Sequence, residues 1–160
     1  PEMQSAIGRI QLTRMSDWTE KRTQNAQAIL DACIRWAEKG YLSVPRLETS
    51  ADFAGAKHAY YKLYVYVKSD NLPEGWTRDA IIAAINEQGV PCFSGSASEV
   101  YLEKAFDDTG LRPEIRLPIA KQLGETSLMF LVHPTLTEAE ITQTVQALDK
   151  VLARIDADAK

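Results

Sequence analysis

The stretch from residue 117 to residue 148 constrains the fold most, because it signals the ends of several consecutive elements. Pro118 suits the first turn of a helix, and Gly124 predicts the end of that helix in the left-handed conformation. Residues 127–132, Ser-Leu-Met-Phe-Leu-Val, form a continuous apolar run of strand length. This run predicts a strand that is covered on both faces, and Pro134 is expected to end it.

A capped amphipathic helix is predicted to follow this strand. Thr137 and Glu140 have the spacing of a capping box, in which each side chain bonds a backbone N–H group at the start of the helix. Apolar residues then recur at helical spacing, which predicts one buried stripe. The stripe consists of Ile141, Val145, Leu148, Leu152 and Ile155.

The N-terminal part of the chain is predicted to be helical. Ser16 and Asp17 could cap a new start, so we expect one helix over 2–14, a kink or break, and a second helix over 17–38. Gly40 is expected to close the second helix. Together the helices would extend about 50 Å, a length that suits an element bridging two domains or two subunits. The second helix has one apolar stripe, formed by Trp18, Ala26, Ile29, Cys33 and Trp36.

The middle of the chain alternates strand and helix signals. Residues 58–67 are rich in aromatic and β-branched residues and predict a strand. Thr77 is expected to cap the next helix. Residues 90–93 predict a short strand at a sheet edge, since Pro91 has no N–H group to donate, and residues 98–106 predict a short helix. One face of the first strand is expected to be buried, with Leu63, Val65 and Val67.

This order of elements predicts the fold class. It is an α/β two-layer sandwich, with a small, mostly antiparallel or mixed sheet of about three or four strands covered by helices and preceded by long N-terminal helices.

Composition excludes two classes of function. The chain is 45% hydrophobic and 25% charged, which is typical of a globular protein. Its net charge is −4 and its lysines and arginines are scattered, which argues against a nucleic-acid-binding surface. No apolar run approaches the roughly 20 residues of a membrane-spanning helix. Cys33 and Cys92 are predicted to be buried free thiols in a reducing compartment.

The residue types alone point to little catalytic chemistry. The chain has no glycine-rich phosphate-binding motif and no HExxH zinc motif, and its two histidines lack the spacing of metal ligands. His133 is predicted to be a structural hydrogen-bonding residue, whereas His58 either lines a site or packs in the sheet. A serine nucleophile at Ser94, Ser96 or Ser98 would need a base and an oxyanion hole, and neither is visible in the sequence.

Five segments, in order, resemble the DegT/DnrJ/StrS family of sugar aminotransferases. Residues 1–12, PEMQSAIGRIQL, are similar to the family's M-x-E-x-Q-A-A-I-G-x-x-Q-L segment, and residues 58–64, HAYYKLY, to its H-x-Y-H-x-Y strand. Residues 89–106, GVPCFSGSASEVYLEKAF, match the length of its G-I-x-T-x-x-H-Y-P-x-P-L-H-L-Q-P-A-F loop. Residues 116–120, RLPIA, and 127–134, SLMFLVHP, resemble its L-P-x-A-x-x-L and S-L-P-x-x-P-x-L-T ending.

This resemblance implies that the chain is the C-terminal small domain of a fold-type-I enzyme that uses pyridoxal phosphate. Residues 1–40 would be a long helical segment linking to an N-terminal large domain, and residues 41–160 the small α/β domain. The large domain would carry the lysine that binds the cofactor and the aspartate that pairs with the pyridine nitrogen. The chain alone is therefore expected neither to hold pyridoxal phosphate covalently nor to transaminate.

The resemblance also implies partners and a compartment. The parent enzyme would be a cytoplasmic homodimer that transfers an amino group from glutamate to a keto-sugar nucleotide. In the chain alone, apolar faces prepared for the large domain are expected either to be exposed or to be buried in a non-native oligomer.

The chain departs from the family pattern in the loop over 89–106. The family's His-Tyr pair falls on Gly95 and Ser96, and its later histidine on Tyr101, so we expect a more open loop and an altered grip on the nucleotide sugar. Each candidate for substrate contact has simple loop or sheet packing as its alternative. The candidates are His58, Tyr60, Ser94, Ser96 and Tyr101.

Two other functions stay open on the sequence. The chain could be a stand-alone α/β-sandwich domain for ligand binding or protein interaction, although the outward apolar residues Met15 and Trp18 would then lack a partner. It could also belong to a non-catalytic, regulatory relative of the aminotransferases.

Overall fold

The computed structural model describes residues 1–45 and 55–159. The helices in that part of the chain are α1 (Glu2–Glu38), α2 (Arg78–Asn86), α3 (Pro118–Thr126) and α4 (Glu138–Asp158). The strands are β1 (Leu42–Ser43), β2 (Leu63–Val67), β3 (Cys92–Phe93) and β4 (Ser127–Phe130). These strands form one sheet in the order β1-β2-β4-β3, and every neighbouring pair is antiparallel. The predicted two-layer α/β sandwich is confirmed, with β3 at an edge as expected.

One face of the sheet forms the core. Leu63, Val65 and Val67 on β2 are buried, which confirms the predicted alternation. On β4, Leu128 and Phe130 lie opposite β2 residues on this face and are fully buried. Helix α4 packs against α1 and α2, α1 packs against β1, and α2 packs against β3 and β4. The α4 stripe is buried as predicted, apart from a half-exposed Val145, and comprises Ile141, Leu148, Leu152 and Ile155.

The predicted helix caps are present. The hydroxyl of Thr77 accepts a hydrogen bond from the Ala80 N–H group at 3.1 Å. Thr137 and Glu140 form the complete capping box at the start of α4. Gly40 follows α1 with a φ of +90°, the left-handed conformation that was predicted to close this helix.

Strand β2 is shorter than predicted. The sequence indicated a strand over 58–67, but pairing begins at Leu63. Tyr60 has a φ of +44°, which lies outside the extended region and interrupts the strand conformation. Similarly, β4 ends at Phe130 rather than at Val132, although all four of its residues are buried as expected.

Helix α1 is continuous, and the predicted break near Ser16 and Asp17 is wrong. It extends over 37 residues. A residue that favours a helix N-cap can also lie within a helix, and no proline or glycine occurs there to stop propagation. The hydroxyl of Thr19 donates to the Met15 carbonyl oxygen at 2.7 Å, which satisfies that polar side chain within the helix.

The two halves of α1 have different surroundings. The C-terminal half packs against α4, and the Trp36 indole N–H group donates to Asp149 at 2.8 Å. The side chain of Asn25 donates to the backbone oxygen of His133 at 3.1 Å. None of the helices in the described ranges, including the long α1, could cross a membrane. The N-terminal half exposes large apolar side chains, at Met3, Ile7, Ile10, Leu12 and Met15.

His133 has the structural role that the sequence indicated. Its Nδ1 atom lies 2.7 Å from the hydroxyl oxygen of Thr135, in the turn between β4 and α4.

Residues 98–106 form two single 3₁₀ turns, Val100–Leu102 and Lys104–Phe106, instead of the predicted helix. Glu103 separates them in an extended conformation.

Candidate functional site

The face of the sheet opposite the core is partly exposed and carries the polar side chains of the candidate site. Tyr64 pairs with Met129, Tyr66 with Ser127 and Phe93 with Met129. Residues directly opposite each other in an antiparallel pair point to the same side of a sheet. We call the surface formed by these residues the site face.

A loop that follows β3 passes across the site face and is held against it. The Ser127 hydroxyl donates to the Ser94 backbone oxygen at 2.5 Å. Gly95 has a φ of +92°, and a Cβ atom added to it would lie 2.4 Å from Cε1 of Tyr64. The phenol oxygen of Tyr64 lies 3.5 Å from the hydroxyl oxygen of Ser96. The more open loop that was expected at Gly95 is therefore not observed, because the ring of Tyr64 fills that space.

The same loop touches α3 at Gly124, which corrects the role predicted for this glycine. Gly124 lies within α3, which continues to Thr126, and it is not in the left-handed conformation. A Cβ atom there would lie 2.1 Å from the hydroxyl oxygen of Ser98. Gly124 thus permits close approach of the loop and does not end the helix.

Tyr101 belongs to a hydrogen-bonded cluster with Glu99 and Arg116. Its hydroxyl donates to a Glu99 carboxylate oxygen at 2.5 Å and accepts from the Leu117 N–H group at 2.9 Å. The Arg116 guanidinium donates to both oxygens of Glu99, through Nε at 2.9 Å and through Nη2. The cluster ties the loop after β3 to the residue at which α3 begins.

Electrostatics reinforces this cluster. Hydrogen bonds from Arg116 and then from Tyr101 lower the pKa of Glu99 from 4.5 to about 2. Burial, followed by the hydrogen bond to Glu99, raises the pKa of Tyr101. At neutral pH the carboxylate is therefore charged and the phenol protonated, which is the combination that this hydrogen bond needs.

A second arginine fixes the 3₁₀ turns. Arg112 donates to the backbone oxygens of Tyr101 and Leu102, at 2.9 and 3.1 Å, and to the Asp107 carboxylate at 2.5 Å. These bonds hold the two turns in place, and the extended backbone of Glu103 between them interrupts the helix that was predicted over 98–106.

His58 and Tyr60 form a separate pair. The Tyr60 N–H group donates to Nδ1 of His58 at 2.9 Å, and the two ring centroids lie 4.3 Å apart. Among the described residues, the hydrogen bonds and ring contacts of this pair do not reach the loop after β3. The structure thus brings Ser94 and Ser96 together with Tyr64, places Tyr101 beside Glu99, and pairs His58 with Tyr60.

Comparison with known proteins identifies the family. Residues 1–149 match the model of the DegT/DnrJ/EryC1/StrS aminotransferase family. The chain belongs to this family.

Solved structures of aminotransferases share its fold. An aminotransferase from Psychrobacter cryohalolentis is 76% identical, with a TM-score of 0.94, over 97% of this chain and 39% of its own length. NtdA from Bacillus subtilis, solved with bound cofactor PMP, is 20% identical, with a TM-score of 0.66, over 86% of this chain and 29% of its own. The sugar aminotransferase CalS13 from Micromonospora echinospora is 14% identical, with a TM-score of 0.64, over 87% and 32%. The chain thus spans well under half the length of these relatives.

No lysine of this family member within residues 1–45 and 55–159 is fully buried. Burial raises the pKa of the Cys33 and Cys92 thiols to about 12, which leaves both unreactive at neutral pH. The same ranges contain no cluster of three or more His, Cys, Asp or Glu side chains that could hold a metal ion.

Sequence reasoning missed three residues of the candidate site, namely Tyr64, Glu99 and Arg116. Tyr64 could have been found, because strand alternation placed it on the face opposite the core. Glu99 and Arg116 lie in irregular segments, where no periodicity relates one position to the other.

The Glu99–Arg116 pair predicts a pH dependence of stability. A carboxyl group whose pKa is lower in the folded state stabilises the fold above its unfolded pKa, and this contribution is lost as the pH falls through the folded pKa. Between about pH 4.5 and pH 2, the free energy of unfolding should fall more steeply for the unmodified chain than for a Glu99→Gln variant. Urea unfolding at a series of pH values measures both slopes. Equal slopes in the two proteins would contradict the assignment.

Proposed function

We propose that the chain is the C-terminal small domain of a pyridoxal-phosphate-dependent aminotransferase that acts on a keto-sugar nucleotide. The observation that carries this proposal is the match to the aminotransferase family over residues 1–149. Identity of 76% to an aminotransferase over 97% of the chain supports it. CalS13 is described as a sugar aminotransferase, which supports a sugar substrate. NtdA was solved with bound cofactor PMP, which supports pyridoxal phosphate as the cofactor.

In the overall reaction, glutamate gives its amino group to the sugar, and the carbonyl oxygen of the sugar is exchanged for that amino group. Glutamate becomes 2-oxoglutarate, and the carbonyl group of the sugar becomes a primary amine. The cofactor would supply the carrier for the amino group, and the reactive lysine would come from a large domain outside these residues. The described residues of the chain would form a wall of the substrate site and exclude water from it.

The exposed half of α1 supports the domain division at residue 40. At 100° per residue, Met3, Ile7 and Ile10 form one stripe along the helix, whereas Leu12 and Met15 lie on a different side. All five side chains are more than half exposed, from 53% at Ile7 to 78% at Met3. A helix with apolar residues on two sides is usually enclosed, which fits packing against a large domain and a second subunit in a homodimer.

The proposed substrate-contact residues are those that the sequence indicated. Ser94 and Ser96 lie on the loop across the site face. His58 and Tyr60 form the ring pair before β2, in which His58 is exposed and Tyr60 is half-buried. Tyr101 would act through the cluster with Glu99, since both of its hydrogen bonds are internal. Free, buried thiols at Cys33 and Cys92 suit the proposed cytoplasmic location.

The test compares the whole protein with the 160-residue chain. One sample of each is incubated with pyridoxal phosphate and reduced with borohydride, and its mass is measured by mass spectrometry. A second, unreduced sample is given glutamate, and 2-oxoglutarate is measured; without an amino acceptor the amino group would stay on the cofactor, so a single equivalent per bound cofactor counts as turnover. We expect covalent cofactor and glutamate turnover in the whole protein and neither in the 160-residue chain. A whole protein that binds no cofactor, or that leaves glutamate unchanged, would instead indicate the non-catalytic relative.

A further inference from the structure

The phenol of Tyr64 and the hydroxyl of Ser96 lie side by side on the open side of the site face. Building on the proposed function, we propose that these two groups form a two-donor subsite that binds one oxygen atom of the nucleotide-sugar substrate. Tyr64 would then determine specificity, although no family motif quoted above assigns it a role.

The two hydroxyl groups are spaced for a shared ligand. Their oxygen atoms are 3.5 Å apart, whereas hydroxyl hydrogen bonds are usually about 2.7–2.8 Å long. In the part of the chain that the structure describes, this loose contact is the sole hydrogen-bonding contact of either hydroxyl. A third oxygen atom placed about 2.8 Å from both could accept a hydrogen bond from each.

Local packing holds the subsite in place. The backbone at Gly95 lies so close to the Tyr64 ring that a Cβ atom would overlap Cε1. The loop on which Ser96 lies is fixed two residues earlier by the bond from Ser127 to Ser94. Tyr64 itself belongs to β2, which is paired on both sides. Little conformational freedom would therefore be lost when a ligand binds.

Tyr101 contrasts with Tyr64 in this respect. Its hydroxyl already donates to Glu99 and accepts from the Leu117 N–H group. Any bond to substrate would have to replace a charge-assisted bond. Of these two tyrosines on or beside the loop, Tyr64 is accordingly the one with a free donor.

Uncharged oxygens fit the subsite better than a phosphate group. The guanidinium of Arg78, which contacts Ser127 on the site face, is occupied, because it donates to the backbone oxygens of Gly124 and Ser127 and pairs with Asp79. Two neutral hydroxyl donors suit a sugar hydroxyl or keto oxygen. Phosphoryl oxygens have the same accepting chemistry, so the experiment separates the two sources.

The experiment measures ligand binding by calorimetry to the whole protein loaded with pyridoxal phosphate. The probes are UDP-glucose and dTDP-glucose, with UDP and dTDP as the versions that lack a sugar. Tyr64→Phe and Ser96→Ala each remove one donor. Tyr61→Phe is the matched control, since Tyr61 is 79% exposed and is placed in neither the subsite nor the cofactor site.

We expect Tyr64→Phe and Ser96→Ala each to weaken binding of the nucleotide sugar about tenfold, and to leave binding of the free nucleotide unchanged. Tyr61→Phe should bind like the unmodified protein. An equal loss for UDP or dTDP would overturn the sugar assignment in favour of a phosphoryl oxygen.

Two other outcomes separate this inference from the proposed function. Unchanged binding in both variants, or a protein that turns over glutamate but binds neither nucleotide sugar, would overturn the subsite and leave an aminotransferase. Failure of glutamate turnover in the unmodified protein would overturn the proposed function, and the subsite with it.

Discussion

Replacing Phe130 by alanine is expected to lower the free energy of unfolding by about 3–5 kcal/mol. Phe130 is fully buried and lies on β4, between β2 and β3, where it pairs with Leu63 and Cys92. Truncation removes the buried ring and leaves a cavity that a strand paired on both sides cannot close. Urea unfolding of the chain, followed by circular dichroism, measures the loss.

Phe93 provides the matched control for this substitution. It lies on the neighbouring edge strand, points to the site face and is 47% exposed. Phe93→Ala should therefore cost about 1 kcal/mol or less, because little surface is transferred back to water. Similar losses for the two variants would mean that the two faces of the sheet are not divided into core and site as described.

The elements that the sequence predicted well are those with local, redundant signals. The capping box at Thr137 combines two side chains at a fixed spacing, and the alternation in β2 repeats at three positions. Where one local signal stood alone, prediction failed. Ser16 and Asp17 favour a helix start, yet helix propagation through them is cheaper than a second nucleation.

Contacts between distant segments could not be predicted in this way. Gly124 carried a local signal for a helix end, but its neighbour in space is Ser98. Gly95 indicated an open loop, but the side chain of Tyr64 fills the space. In both cases the glycine leaves room for another part of the chain. The sequence shows that a glycine is present, but it does not show which distant residue requires the space.

Replacing Gly95 by alanine is expected to destabilise the chain by about 2–4 kcal/mol. Two costs combine: alanine is strained at a φ of +92°, and its Cβ atom would lie 2.4 Å from Cε1 of Tyr64. The phenol would have to move away from Ser96, so the proposed subsite should lose nucleotide-sugar binding as well. Urea unfolding measures the first effect, and calorimetry on the whole protein the second.

Gly110 separates the two costs. Its φ is +69°, but a Cβ atom there would meet nothing within 4 Å, so Gly110→Ala should cost only the backbone strain, about 1 kcal/mol. The larger loss of stability at Gly95 is then due to the overlap with Tyr64. In a Tyr64→Ala background, where the ring is absent, Gly95→Ala should cost only the backbone strain, about 1 kcal/mol. If Gly95→Ala costs no more than Gly110→Ala, the ring moves aside freely. The Tyr64 phenol would then not be held in place, which would contradict the preorganised subsite.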